Sequence, residues 1–333
     1  MTNAEIQTFG LANAGPIDQQ VAKGLRKLAA HPVLREKFSQ DDTIRQLFAA
    51  PVARYIIGKT IDDACQNFDA LSEKGYRIGV EYVGEEITDE KQVEAVVTEN
   101  LNFLKSASER PFAKTLQIGF DLSSVGLLIS RELALKNTRK IAEFAAGQRC
   151  SILISMERST HTDQIIDVFS ELAPDNENLG LTVQAYLNRS RADLKKLTKL
   201  GRKIRLVKGV YDEHKSLALA RGSELDERYV ELASDLASGP APFCIATHDE
   251  MLVRSLKDKG VLAKAQELEA LHGCNPDLFR NMKSVGVPCR ITGVYGDEWF
   301  LHFLHRLAEH TPNVLQALAD YYKPDQVVFG ERY

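Results

Sequence analysis

"TLQIGFDLSSVGLLISRELALKNTRKIAEFAAGQRCSILIS", residues 115–155, holds one complete strand–helix–strand unit. "TLQIGF" (115–120) and "CSILIS" (150–155) are short β-rich runs. Between them "SRELALKNTRKIAEFAAG" (130–147) repeats its apolar residues at helical spacing and stops at Gly147. Two such runs joined by a helix read as neighbouring parallel strands. The alternation continues both ways, with strands at "RIGVEYV" (77–83), "LTVQAY" (181–186), "KIRLVK" (203–208), "FCIATH" (243–248), "AQELEA" (265–270) and "PCRIT" (288–292). Helical patterns cover 89–107, 161–173, 226–237 and 298–310. "AQELEA" is a poor strand on propensity and reads equally as helix. The expected fold is α/β: a distorted (βα)8 TIM-type barrel with extra N-terminal helices.

Upstream, "DQQVAKGLRKLAAHPVLREKF" (18–38) has helical spacing, and "TIDDACQNFDALSEKG" (60–75) opens on a Thr60 cap and ends at Gly75. The expected division is an N-terminal helical segment (1–75), a barrel (76–315) and a C-terminal tail (316–333). The chain has 333 residues, 44% hydrophobic and 26% charged, with a net charge of −4, which argues against a nucleic-acid binder. No apolar run is long enough to span a bilayer, and the first residues lack the basic and apolar regions of a secretory signal. Cys65, Cys150, Cys244, Cys274 and Cys289 show no CxxC spacing, so buried free thiols in a reducing, cytoplasmic setting are expected. Phosphate-cradling glycine motifs are absent. His302 and His305 share a helix face with Arg306, whose charge opposes a metal there, so no metal is expected.

A barrel of this kind carries its chemistry at the carboxyl ends of its strands. Asp121, Ser155, Gln184, Lys208, Thr247, His248 and Glu269 fall at those ends, and Arg205 stands mid-strand. In "RLVKGVYDE" (205–213), Arg205 and Lys208 are three apart and are expected on opposite faces. Arg205 reads either as the partner of a buried carboxylate or as a contact to a ligand. Gln184 suits the edge of a heteroaromatic ring, since its amide both donates and accepts.

"YVGEEITD", "VQAYLNRS", "RLVKGVYDE", "ATHDE", "LEALHG" and "CRITGVYGDEW" followed by "HRLAE" occur in the order seen in the proline dehydrogenase (proline oxidase) family. From about Tyr55 to Pro312 the chain resembles its short, monofunctional bacterial members. The resemblance implies non-covalent FAD and amine oxidation by hydride transfer to flavin N5. It implies Gln184 at the flavin pyrimidine edge, Arg205 beside N5, and Lys208, Gly209 and Val210 in the cofactor-cradling turn. It also implies Met156 against the cofactor, Thr247 and His248 near its ribityl–pyrophosphate part, and Leu206 and Tyr211 against the proline ring. Arg205 and Ser155 are the candidate catalytic residues.

The substrate side departs from the family pattern. Members hold the proline carboxylate with two consecutive arginines on the last helix and a lysine ending the second barrel strand; here these read His305–Arg306 and Asp121. Ser155 replaces an aspartate, and Thr292 and His302 replace tyrosines; in the cofactor-cradling turn Val210 replaces an alanine. The usual four polar positions carry a net +2, whereas Asp121, Ser155, neutral His305 and Arg306 carry none. The expected function is therefore FAD-dependent oxidation of L-proline or a proline-like cyclic amine to a Δ1-pyrroline, with a quinone or other electron acceptor. Its substrate's carboxylate is expected to be masked, displaced or bound by Arg306 alone. Family members in carbapenem antibiotic biosynthesis offer an analogy. Peripheral membrane contact stays open, and no nucleic-acid partner is expected. The alternatives are an inactive flavin-binding barrel serving as a partner protein, and a flavin-free lyase using Lys208 as a Schiff-base amine.

Overall fold

The computed structural model describes residues 16–84 and 86–333. Its strands are β1 (Ile56–Gly58), β2 (Arg77–Tyr82), β3 (Gln117–Phe120), β4 (Ser151–Ile154), β5 (Leu179–Gln184), β6 (Lys203–Val207), β7 (Phe243–Ala246), β8 (Leu268–Leu271) and β9 (Cys289–Tyr295). β2 to β9 pair in sequence order, all parallel, and β9 returns to β2, closing an eight-stranded barrel. All eight anticipated strands are present.

β1 corrects the expectation that the N-terminal segment is helical throughout. It pairs with β9 at Ile56↔Val294 and Gly58↔Tyr295. The last β8–β9 pair is Leu271↔Thr292, so β1 takes the edge that β8 leaves free. Three residues are too few to show alternation, which is why the sequence pattern did not reveal it. Helix Thr311–Tyr322 spans the position of the expected boundary at 315. "AQELEA" becomes a strand three residues later than expected. Glu267 and Glu269 can lie buried there because cations from β9 and β6 meet them, a tertiary contact that overrides propensity.

Elsewhere local signals match the elements. Thr60 and Asp63 form a capping box on helix Ile61–Glu73. Asp89 and Ser130 cap Glu90–Ala107 and Arg131–Gly147. Most apolar side chains pack between strands and surrounding helices in one large core. A second cluster joins the N-terminal helices to Phe300–Glu309; in it Phe38 stacks on Phe300 at 4.3 Å between centroids. The N-terminal helices thus brace the helix that follows β9.

The barrel interior is polar. Glu267 receives Lys203 Nζ at 2.5 Å, Arg290 Nε at 2.8 Å and Arg77 Nη1 at 3.0 Å. Burial works to raise the Glu267 pKa, yet Arg290 and Lys203 prevail and hold it well below the usual range. Gly119 leaves the interior open here, since a Cβ on it would lie 2.6 Å from Glu81 Oε1. This ionic floor supports the mouth above it.

Candidate functional site

A cavity of about 280 Å³ opens at the carboxyl ends of the strands. Asp121, Ser155, Met156, Gln184, Arg205, Lys208, Gly209, Val210, Tyr211, Thr247, His248, His302, His305 and Arg306 all line it. Residues far apart in sequence meet because every strand ends on this face, and helix Phe300–Glu309 folds over it.

Two predicted residues lie elsewhere. Leu206 is fully buried; alternation with inward Arg205 turns it toward the helix layer, so its expected contact with a substrate ring is corrected. Thr292 faces the interior below the cavity, where its hydroxyl donates to Glu269 Oε1 at 2.8 Å. Arg205 and Lys208 do not point to opposite sides. β6 ends at Val207, so strand alternation stops there and both side chains reach the same cavity.

Arg205 has an internal anionic partner. Its Nη1 meets Glu269 Oε1 at 2.8 Å and Glu81 Oε1 at 3.3 Å, while Nε donates to Thr182 Oγ1 at 3.0 Å and Nη2 to Ser155 Oγ at 3.1 Å. The buried-carboxylate reading of Arg205 therefore holds, although its guanidinium still lines the cavity. Burial opposes the Arg205 charge, but Glu269 and Glu81 outweigh it and raise the pKa. Burial likewise pushes Glu269 up, while Arg205, Lys203 and Arg290 hold it below the usual carboxylate range.

Lys208 Nζ sits 2.6 Å from Asp226 and 2.8 Å from Asp249. Asp249 also caps helix Glu250–Asp258 through its other oxygen, which accepts from Met251 and Leu252. A lysine clamped as an ion pair is poorly placed for Schiff-base chemistry. Gln184 donates its amide to the Glu157 carbonyl at 2.8 Å. Gly209 has φ +113°, and a Cβ there would come 2.2 Å from the Tyr186 ring, so the turn requires glycine. Tyr211 lies beneath the Arg158 guanidinium, 5.2 Å from its ring centroid. His248 Nε2 accepts the Leu271 N–H at 3.0 Å, and burial pushes its pKa down to about 4.

On helix Phe300–Glu309, Arg306 Nη2 pairs with Glu309 at 2.9 Å. Burial, then Arg306, push His305 down to about 4 and His302 well below its ordinary value. Both imidazoles are therefore neutral near pH 7. His248, Cys274 and Glu309 bring potential ligand atoms within 4.8 Å of one another. Arg306 bonds both Glu309 and Cys274, making this an ion-pair cluster rather than a metal cage.

Glu81, Arg221, Asp249, Cys274 and Glu309 also line the cavity, and sequence reasoning did not assign them. Glu81 carried a signal, a carboxylate alternating with inward Gly79 in an apolar strand. Glu309 carried another, three residues after Arg306. Arg221 comes from an irregular loop with no period to read. In all, Glu81, Asp121, Asp249, Glu269 and Glu309 face Arg205, Lys208, Arg221 and Arg306, so five carboxylates meet four cations.

Residues 64–314 match the proline dehydrogenase family. Proline dehydrogenase 1 of Bacillus subtilis (strain 168) is 30% identical over 266 residues, covering 78% of this chain and 87% of that protein. Proline dehydrogenase of Deinococcus radiodurans is 27% identical over 306 residues, covering 89% and 96%. Proline utilization A (PutA) from Bdellovibrio bacteriovorus, solved after inactivation by N-propargylglycine, shares the fold with a TM-score of 0.73 at 14% identity. That match covers 94% of this chain and 39% of the longer protein. With the family matched across three quarters of its length, this chain belongs to the proline dehydrogenase family of oxidoreductases.

Proposed function

We propose that the protein oxidises L-proline or a proline-like cyclic amine to a Δ1-pyrroline product with FAD as cofactor, passing electrons to a quinone or another acceptor. The convergence of Gln184, Arg205, Lys208, Thr247 and His248 in one cavity with His302, His305 and Arg306 carries this reading. The lining fits a flavin: Gln184 and Arg205 offer buried polar groups for a heteroaromatic edge, while Met156, Val207, Ala246 and Leu271 offer apolar contact. FAD, when bound, supplies the acceptor for the hydride leaving the carbon next to the ring nitrogen.

The chain's own residues orient the partners and set their charge. Arg205 is held by Thr182, Ser155, Glu81 and Glu269, a clamp that fixes its guanidinium before any ligand arrives. Ser155 acts through Arg205, whose Nη2 it accepts. Lys208, tied to Asp249, fixes the turn carrying Gly209 and Val210 to the start of helix Glu250–Asp258. The substrate nitrogen must be neutral for hydride to leave, so the rate rises with pH toward the pKa of the bound amine. Among the described residues no helix is long and apolar enough to cross a membrane. All five cysteines are buried and free, which supports a reducing cytoplasm. The altered substrate side suits specialised metabolism, antibiotic biosynthesis included.

The test is reconstitution with FAD followed by anaerobic titration with L-proline and its derivatives. A yellow protein bleached by at least one pyrrolidine supports the proposal. Colourless protein that takes up no FAD refutes it; bound flavin that no pyrrolidine reduces would point to the inactive partner barrel instead.

A further inference from the structure

Resting on that reading, we propose that the preferred substrate is a five-membered cyclic amine whose carboxyl group is masked as an ester or amide, and that the cavity selects against a free carboxylate. One wall is acidic. Glu81 on β2 pairs in register with Gly119 on β3, and Asp121 follows Gly119 by two residues, so both carboxylates face inward from adjacent strands. Ser155 directly follows the next strand and adds no charge. A protonated ring nitrogen suits this wall, whereas a carboxylate there would be repelled.

Three of the four cations opposite are already matched, and the exposed Arg221 donates its Nη2 to the Gly209 carbonyl at 2.7 Å. Arg205 meets Glu269 and Glu81, Lys208 meets Asp226 and Asp249, and Arg306 meets Glu309. A free carboxylate would thus be a sixth negative group against four positive ones. The far end still has hydrogen-bonding capacity: Arg306 Nε and His302 Nε2 are buried without partners among the described residues, on side chains that line the cavity. A neutral carbonyl oxygen can accept from a buried N–H without adding charge. Masking the carboxyl therefore removes the repulsion and keeps the contact.

The experiment measures binding and turnover separately. L-proline, L-prolinamide and L-proline methyl ester are titrated calorimetrically into FAD-loaded protein, and flavin reduction by each is followed anaerobically. The amide and ester should bind at least about tenfold more tightly than proline, or ~1.4 kcal/mol. Asp121→Asn should narrow that ratio, and Asp121→Lys should reverse it. Proline binding as tightly as its derivatives, or a ratio indifferent to both substitutions, overturns the proposal even if proline bleaches the flavin. Tight ester binding with no bleaching by any of the three sustains the charge argument and instead refutes the assignment as an amine oxidant.

Discussion

Replacing Arg205 with methionine should turn its buried ion pair with Glu269 into a pH-sensitive liability. The guanidinium is the nearest cation to Glu269, at 2.8 Å, and Glu269 is only 2% exposed. After Arg205→Met, Glu269 keeps the Thr292 hydroxyl at 2.8 Å and a long contact from Gln117 at 3.5 Å, but no direct ion-pair partner. Removing one member of a buried ion pair costs about 3–5 kcal/mol. For a chain of this size that lowers Tm by about 4–7 °C.

The pH dependence carries the reasoning further. In the parent protein Glu269 lies below its ordinary pKa, so its stabilisation is present above about pH 4.3 and is lost as pH falls through the folded value. Without Arg205 the burial that already pushes Glu269 upward prevails. The folded state then holds a proton that the unfolded state releases, and stability declines as pH rises above about 4.3. Arg205→Met should therefore melt closest to the parent near pH 5 and furthest from it near pH 8, by about these amounts. The double variant Arg205→Met/Glu269→Gln should recover most of the loss, because it leaves no buried unpaired charge. The assay is thermal unfolding at constant excess FAD, since cofactor binding itself shifts Tm. A deficit that is flat with pH, or that Glu269→Gln does not relieve, would refute the account of Arg205 as an internal ion-pair partner.

Three further outcomes are expected. Gly209→Ala should weaken FAD affinity by about tenfold, ~1.4 kcal/mol, because its Cβ would meet the Tyr186 ring; unchanged flavin content after dialysis would contradict this. His248 and His305 are pushed to about 4 by burial, so flavin reduction between about pH 6 and 9 should follow the substrate amine alone; an inflection near the ordinary imidazole value of about 6.5 that His305→Asn removes would show that His305 titrates in that range. Tyr333→Phe removes a hydroxyl that accepts the Gly273 N–H at 2.7 Å and approaches His272 Nδ1 at 3.2 Å. An unsatisfied N–H of this kind costs about 1–3 kcal/mol, a Tm drop of about 1–4 °C, readable in a melt against the parent.

The eight barrel strands and most of their helices were legible in the sequence, because period-two and helical spacing, caps and stop glycines are local properties of consecutive residues. The cavity was legible for a related reason. Polar residues at strand ends converge once the barrel closes, and the family resemblance named the right strands. β1 was not legible, since a three-residue strand exists only through its pairing with β9. Nor was the outward turn of Leu206, which depends on which face of β6 the barrel encloses, or the meeting of Lys208 with Arg205 after β6 ends. The charge balance was the least readable quantity. Glu269 lies 64 positions from Arg205, and Glu81 lies 124 from it. Linear spacing determined the kind of scaffold and where its chemistry would gather. Only closure of the barrel decided which opposite charges stand within ion-pair distance, because electrostatic energy depends on separation in space and on burial rather than on order along the chain.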